Sequence, residues 1–290
     1  MIDAPADVNT ITNSIMKLYK TKKAILLEKA GQFFEVKGQD WDLFINDDNL
    51  FSKLLNIAGN TAPVVWQADA ELIAPIGQQE VWACGVTYLR SKLGRQEESQ
   101  DAGGGDFYAK VYEAERPEVF FKSVAHRVMG PYQKVRIRKD STWDVPEPEL
   151  TLVVTSSGKI VGYTIGNDMS SRSIEGENPL YLPQAKTYDG AAAIGPCLYI
   201  TDQPLDPKTT ISLDIVRQSR NIFNGSIEIN QMKRTTKELV SFVFRECSFP
   251  YGCYIMTGTG IVPDKPFTLQ AGDEIKISID AIGQLINTVG

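Results

Sequence analysis

The stretch DVPEPELTLVV, residues 144–154, sets two glutamates and two prolines at the mouth of an apolar run. Residues i and i+2 of a strand point to one face, so Glu147 and Glu149 project together while Pro146 and Pro148 face the other way. The prolines carry no backbone donor, which marks that edge of the strand as unpaired there. Two carboxylates on one face repel each other unless a cation or a proton lies between them. A solvated strand edge is the competing reading of the fragment taken alone.

The next residues shift that balance. TLVVTSSGKIVGYTIG, residues 151–166, reads as a hairpin around Ser156, Ser157 and Gly158, followed by IGNDMSSR to residue 172. If the two strands pair across the turn, the end of the second returns to the start of the first and carries Asp168 to Glu147 and Glu149. Three carboxylates at one end of a hairpin make a hard oxygen site suited to Mg²⁺ or another hard divalent ion.

The rest of the chain divides near residue 75. Residues 1–75 are expected to form a small α/β unit. Within it, VNTITNSIMKLYK (8–20) has helical spacing, with Val8, Ile11, Ile15, Met16 and Tyr19 on one side. AILLEKAGQFFEV (24–36) reads as two short strands turning at Lys29, Ala30 and Gly31. DDNLFSKLLNIAG (47–59) reads as a helix with Asp48 or Asn49 as its cap and Gly59 as its stop. Residues 76–290 are dominated by short strands separated by turn residues, including a second hairpin within 210–229, with KRTTKELVSFVFREC (233–247) as the clearest late helix. Strands and helices do not alternate regularly, which disfavours a doubly wound sheet. The expected class is α+β, mostly β: a mostly antiparallel body with a few inserted helices.

Bulk properties exclude several functions. Net charge is −6, from 30 basic and 36 acidic residues, with no Lys/Arg-rich block to attract nucleic acid or an anionic membrane. No run approaches the roughly 18 apolar residues of a membrane span. The N-terminal residues lack a basic start followed by an apolar core, so a cytoplasmic protein is expected. Cys84, Cys197, Cys247 and Cys253 form no C-x-x-C pair and His126 is the single histidine, so a zinc site is not expected and buried thiols are. No G-x-S-x-G elbow, G-x-G-x-x-G or P-loop is present; QDAGGGDFY (100–108) is expected to be a mobile loop or lid, its run at 101–106 being the part in question. Acid–base chemistry must fall to Glu, Asp, Lys or Tyr.

Several separated motifs occur in an order that resembles the fumarylacetoacetate hydrolase superfamily over residues 80–285. They are GVTY (85–88), RPEVFFK (116–122), E-x-E (147–149), ND-x-S-x-R (167–172), KTYDG (186–190), Gly195-Pro196 and TGTG (257–260). The resemblance implies a mixed β-sandwich roll, commonly a homodimer or homotetramer. It implies that Glu147, Glu149 and Asp168 bind Mg²⁺, Mn²⁺ or Ca²⁺, and that Lys186 lies beside a small 2-keto acid substrate.

One departure bears on the subclass. C–C bond hydrolases of this family usually carry a water-activating histidine three residues after the tyrosine of the G-V-x-Y segment. Here Ser91 occupies that place, preceded by Arg90. A serine cannot replace an imidazole that titrates near neutrality, so either His126 substitutes from elsewhere or the reaction needs no such water. RPEVFFK, WDVPEPEL, ENPLYLPQAK and TGTGIVP together look like the group of 2-keto-3-deoxy-D-arabinonate dehydratases, in which a small N-terminal domain precedes the roll.

That resemblance implies a β-elimination. The carboxylate and keto oxygens of a 2-keto-3-deoxypentonate chelate a metal, which stabilises the enolate formed on loss of a C3 proton. Departure of the C4 hydroxyl and tautomerisation then give 2,5-dioxopentanoate and water. Lys186 is the candidate base, with electrostatic stabilisation of the enolate as its alternative role. Glu118 is the candidate acid, with a surface-facing strand residue as the alternative. Arg172 suits the substrate carboxylate or a metal-ligating carboxylate, and Glu175 either substrate hydroxyls or a structural salt bridge. Arg90 and Ser91 are expected to shape the polar pocket. Gly258 permits close backbone approach, and Thr259 with neighbouring amides is expected to hold the keto-acid carboxylate; a tight turn is the competing reading of this segment. The rival functions are an acylpyruvate or β-diketone C–C hydrolase, a keto-acid decarboxylase or isomerase, and a non-catalytic binding protein on the same scaffold.

Overall fold

The hairpin expected from residues 151–166 forms the centre of the molecule in a computed structural model that describes residues 15–66, 71–98, 105–263 and 266–290. In chain order the strands begin with β1 (Met16–Lys20), β2 (Ile25–Lys29), β3 (Gln32–Val36), β4 (Glu80–Gly85), β5 (Glu118–Val124), β6 (Val128–Met129), β7 (Lys134–Val135) and β8 (Asp144–Val145). They continue with β9 (Pro148–Val154), β10 (Ile160–Asp168), β11 (Ser170–Ser171), β12 (Ala192–Ile200), β13 (Thr210–Arg217) and β14 (Arg220–Glu228). The last three are β15 (Cys253–Met256), β16 (Glu274–Ile279) and β17 (Gly283–Val289). Among the helices are α1 (Trp41–Ile45), α2 (Leu50–Asn60), α3 (Leu89–Glu98), α4 (Gly105–Glu113), α5 (Arg172–Glu177), α6 (Leu182–Lys186) and α7 (Thr236–Val243).

One ten-stranded sheet runs β3-β2-β1-β12-β10-β9-β15-β4-β5, with β6 beside β12, and a five-stranded sheet runs β14-β13-β16-β17-β7. The two sheets pack face to face. Leu150, Ile165, Ala193 and Cys197 of the large sheet meet Ile211, Leu213, Ile275, Ile277 and Leu285 of the small one. Other side chains of the same central strands, among them Val153, Ile194 and Leu198, pack against Trp41, Phe44, Leu50 and Leu54. A third cluster seats Leu239, Val240 and Val243 of α7 on Leu152, Val154 and Ile255. Because β9 is covered on both faces, every one of its residues is buried, and its apolar run need not alternate. The architecture is mostly β with a few helices, as expected.

The register places the carboxylates. β9 and β10 pair Gly166 with Glu149 and Asn167 with Pro148, and Asp168 N–H donates to the Glu147 carbonyl at 2.9 Å. On the other edge, pairing with β15 ends at Thr151 opposite Met256. Thr257 N–H then reaches the Leu150 carbonyl at 3.0 Å. Beyond that point Pro146 and Pro148 have no N–H for a ladder, and the neighbouring chain is free to turn toward the glutamates.

Two expectations for the N-terminal part change. Met16–Lys20 is strand, not helix, while Val8 and Ile11 lie outside the described residues. Met16 and Leu18 are buried with less buried Lys17 and Tyr19 between or beyond them, a period of two. The strand gains pairing on both edges, to β2 and to β12, and that tertiary pairing outweighs local helical spacing. Helix α2 has Asn49 at its N-cap position without a side-chain bond, and it runs past Gly59 to Asn60. Of the glycine run, Asp101–Gly104 lies outside the described residues, whereas Gly105 and Asp106 open α4.

Asp48 has a different partner from the helix end. Its carboxylate accepts from Thr155 Oγ1 at 2.6 Å and from Ser157 Oγ at 2.9 Å, and its carbonyl accepts from Lys159 Nζ at 2.5 Å. Asn46 Oδ1 accepts the Ser156 N–H at 2.7 Å. The hairpin turn, with Gly158 at φ +83°, is therefore held by residues far away in sequence. Asp48→Ala should lower stability by about 1 kcal/mol, the net worth of an exposed hydrogen-bond set. Thermal denaturation checks this, and an unchanged melting temperature would show that the turn needs no such restraint.

Candidate active site and metal centre

At the open end of the hairpin, Glu147, Glu149 and Asp168 are buried, and a ligand oxygen from each lies within 4.8 Å of the others. The structure thus brings together the three residues that the sequence pairs by register. Lys186, the last residue of α6, points into the cluster from the opposite side. Its ammonium donates to Glu147 Oε2 at 2.8 Å, Asp168 Oδ2 at 3.1 Å and Ser170 Oγ at 2.5 Å.

Arg172 starts α5, whose N-cap Ser171 accepts from Ile174 N–H. That cap turns the chain so that the guanidinium reaches back to Glu147 Oε1 at 2.6 Å. Gly258 follows β15 at φ +93°, and a Cβ there would lie 2.1 Å from Thr87 Oγ1. Only glycine fits, and its N–H donates to Glu149 Oε2 at 2.6 Å.

Lys122, on β5, is a residue that sequence reasoning missed. It is fully buried, and its ammonium lies 2.5 Å from Asp168 Oδ1. It also donates to the Met169 carbonyl at 3.0 Å and to the Lys186 carbonyl. A signal existed: a lysine within the apolar run EVFFKSV needs a buried acceptor or an exposed face.

The cluster is enclosed in a cavity of about 10 Å³ lined by Cys84, Gly85, Ser91, Phe120, Gly258 and Thr259 beside the charged groups, roughly the space of one water. Ser91 and Thr259 are on its wall. Ser91 Oγ donates to the Tyr88 carbonyl at 2.7 Å, closing the first turn of α3. Thr259 Oγ1 donates to the Ile261 carbonyl at 3.2 Å. Glu118 stands just behind Gly85: a Cβ at position 85 would lie 1.8 Å from Glu118 Oε2, which is buried without a hydrogen bond among the described residues. Glu175 is buried in the first turn of α5, and Arg90 is half-buried on α3; neither lines the cavity. His126 is exposed and also outside it.

The electrostatics single out Glu149. Burial, then the charges of Asp168 and Glu147, push its carboxyl well above the usual range. Burial acts on Asp168 in the same sense, but the ammoniums of Lys122 and Lys186 outweigh it and hold that carboxyl below its ordinary value. Self-repulsion among the three carboxylates is thus largely answered by Lys122, Lys186 and Arg172. The case for a metal rests instead on donor chemistry. Three hard oxygens converge, and two of them, Glu147 Oε2 and Asp168 Oδ2, already share one cationic group. The residues present therefore fit a hard divalent ion.

Comparison with known proteins agrees with this arrangement. Residues 91–290 match the family description "Fumarylacetoacetate (FAA) hydrolase C-terminal". A probable 2-keto-3-deoxyxylonate dehydratase of Haloferax volcanii is 47% identical over 222 residues, 76% of this chain and 75% of that protein. The 2-dehydro-3-deoxy-D-arabinonate dehydratase of Saccharolobus solfataricus is 42% identical over 223 residues, again 76% and 75% of the two chains. A solved structure of 2-keto-3-deoxy-D-arabinonate dehydratase complexed with magnesium and 2,5-dioxopentanoate is similar with a TM-score of 0.78 and 32% identity, over 95% of this chain and 98% of that one. The chain belongs to the fumarylacetoacetate hydrolase family.

Proposed function

We propose that the protein is a Mg²⁺-dependent hydro-lyase that converts a 2-keto-3-deoxypentonate to 2,5-dioxopentanoate and water. The observation that carries this reading is the buried carboxylate triad in a cavity whose wall has Ser91 and no imidazole. The relatives named above are dehydratases of this substrate class. Water-activating hydrolysis by the single histidine is not favoured, because His126 is exposed and off the cavity. Glu147, Glu149 and Asp168 would hold the ion, which when bound supplies Lewis acidity toward the keto and carboxylate oxygens of the substrate.

The protein's own groups handle the protons. Dehydration removes a proton from C3, breaks the C4–O bond and delivers a proton to the departing hydroxyl. A proton then shifts from C5 to C3 to leave an enol between C4 and C5, and loss of its hydroxyl proton with protonation of C4 turns the former primary alcohol into an aldehyde. Of the two candidates for these transfers, Glu118 has the free acceptor, a buried Oε2 beside Gly85. Lys186 has all three N–H groups engaged by Glu147, Asp168 and Ser170, so no position on its nitrogen is open toward a C3 proton. We therefore assign the C3 proton to Glu118, and to Lys186 the charge developing on the keto oxygen or the proton for the C4 hydroxyl. Thr259 and Ser91 shape the cavity wall, their hydroxyls held by the Ile261 and Tyr88 carbonyls. Arg172 is placed to exchange a ligand carboxylate for the substrate carboxylate.

Purified protein incubated with D- and L-2-keto-3-deoxypentonate should release one water from a single enantiomer and form an aldehyde, seen by mass and NMR. EDTA and Glu147→Ala should each abolish the reaction, and turnover of neither enantiomer would sink the proposal. Glu118→Gln and Lys186→Met should each lower kcat by about 10²–10⁴, the usual worth of a positioned proton-transfer group. In D₂O, C3 hydrogen exchange should vanish in Glu118→Gln and persist in Lys186→Met; the reverse outcome reverses the two roles.

The raised Glu149 carboxyl gives a pH dependence. In the ion-free protein it keeps its proton at pH values where an ordinary glutamate has lost it, so binding a cation must displace that proton. Affinity for Mg²⁺ should fall as pH drops through the raised value, with proton uptake by Glu149 competing against the ion. Accordingly, the Mg²⁺-induced rise in melting temperature should shrink steadily as the pH is lowered across a titration series. A rise independent of pH would show that Glu149 binds the ion without titrating.

A further inference from the structure

The peptide unit between Thr257 and Gly258 is gripped by both of its polar groups. Its N–H, that of Gly258, donates to Glu149 Oε2 at 2.6 Å, and its carbonyl, that of Thr257, accepts from Thr87 Oγ1 at 2.7 Å. Thr87 is fully buried, and its hydroxyl has a single hydrogen to give. The hydroxyl of Thr257 itself is turned elsewhere, to the Leu150 carbonyl at 2.9 Å, where the Thr257 N–H also donates at 3.0 Å. A file of hydrogen bonds therefore runs from Thr87 through one peptide unit to a buried carboxylate, and bonds in such a file polarise one another.

We propose that Thr87 is a positioning residue for Glu149, acting through the Thr257–Gly258 peptide. The inference rests on the metal-dependent reading above and extends it to a residue outside the cavity wall. Gly258 explains why such a residue is needed. Glycine tolerates either sign of φ, so the peptide before it is free to rotate unless something holds it. Turned over, that peptide would present the Thr257 carbonyl oxygen to Glu149 in place of the Gly258 N–H, and oxygen would face oxygen. The Thr87 hydroxyl opposes the turn, because the carbonyl would give up its buried donor.

The chain around Thr87 is built to hold that hydroxyl in place. Strand β4 ends at Gly85, and Val86 then takes φ +54°, a region that β-branched residues rarely enter. Strain of this kind persists where the surrounding contacts over-determine the backbone, and it gathers at functional sites. Those contacts are present: the Thr87 carbonyl accepts from Lys233 N–H at 2.9 Å, and Tyr88 bridges to Met232. The bare Cα of Gly258 lets the two segments approach, since a Cβ there would also lie 2.8 Å from the Cys84 carbonyl oxygen. Thr87 thus reaches Glu149 only through the peptide and needs no contact with ion or substrate.

Thr87→Val removes the hydroxyl and keeps the shape, whereas Thr87→Ser keeps the hydroxyl. In ¹H–¹⁵N NMR spectra of the ion-free protein, the Gly258 amide proton should lie at low field in wild type and Thr87→Ser, and move to higher field in Thr87→Val. Isothermal titration with Mg²⁺ should show a dissociation constant raised about 10-fold in Thr87→Val, the lower end of outer-sphere effects on metal sites, and a wild-type value in Thr87→Ser. A merely structural role would lower the melting temperature of Thr87→Val while leaving both readouts unmoved, and that result overturns the inference. So does a Thr87→Ser protein that behaves like Thr87→Val. A wild type that binds no Mg²⁺ sinks the metal-dependent reading, and the Gly258 amide then decides the inference by itself. If Thr87→Val does not fold, Thr87→Ala carries the same measurements. Should neither fold, a crystal structure of the wild type decides: the Thr257 carbonyl on the Thr87 hydroxyl with Gly258 N–H on Glu149 supports the proposal, and a peptide turned the other way overturns it.

Discussion

Burial of opposite charges at one end of a single hairpin is the constraint on which the site depends. Glu147, Glu149 and Asp168 face Lys122, Lys186 and Arg172 in a space from which solvent is nearly excluded. Leaving any of these ions unpartnered in such a place would cost several kcal/mol. The surrounding chain is arranged to prevent that: a bulge aims Lys122, a capped short helix returns Arg172, and a positive-φ glycine presents its N–H to Glu149. Each device breaks a regular pattern of strand or helix, and each breaks it next to a carboxylate.

What was legible in the sequence follows from this locality. The hairpin and the approach of Asp168 to Glu147 and Glu149 could be read because strand periodicity and a turn of known residues convert sequence separation into spatial register. The second hairpin was legible for the same reason, and its turn residues Gln218 and Ser219 adopt positive φ. Lys186 and the TGTG segment came from the resemblance to a family. They sit on elements whose packing against the hairpin no local pattern encodes.

The misses have equally physical causes. Met16–Lys20 carries apolar residues that satisfy either period, and only the open edges of β2 and β12 decide for strand. Lys122 looked like one charge in an apolar run, because a bulge depends on the partner strand as much as on its own sequence. Asp48 and Asn49 both suit a helix cap, yet the stronger claim on Asp48 comes from the hydroxyls of Thr155 and Ser157, a hundred residues downstream.

That contact has a consequence for how the protein can change. The turn at 155–159 and the carboxylates at 147–149 lie at opposite ends of a seven-residue strand, about 20 Å apart at the rise of an extended chain. They are linked through the pairing register of the hairpin, which already takes up one extra residue, Val161, in a bulge between the turn and the site. Length variation in an exposed loop is normally tolerated. This loop, although exposed, is joined to the buried carboxylates by two paired strands, so a change in its length is felt at the far end of the hairpin unless the bulge at Val161 takes it up.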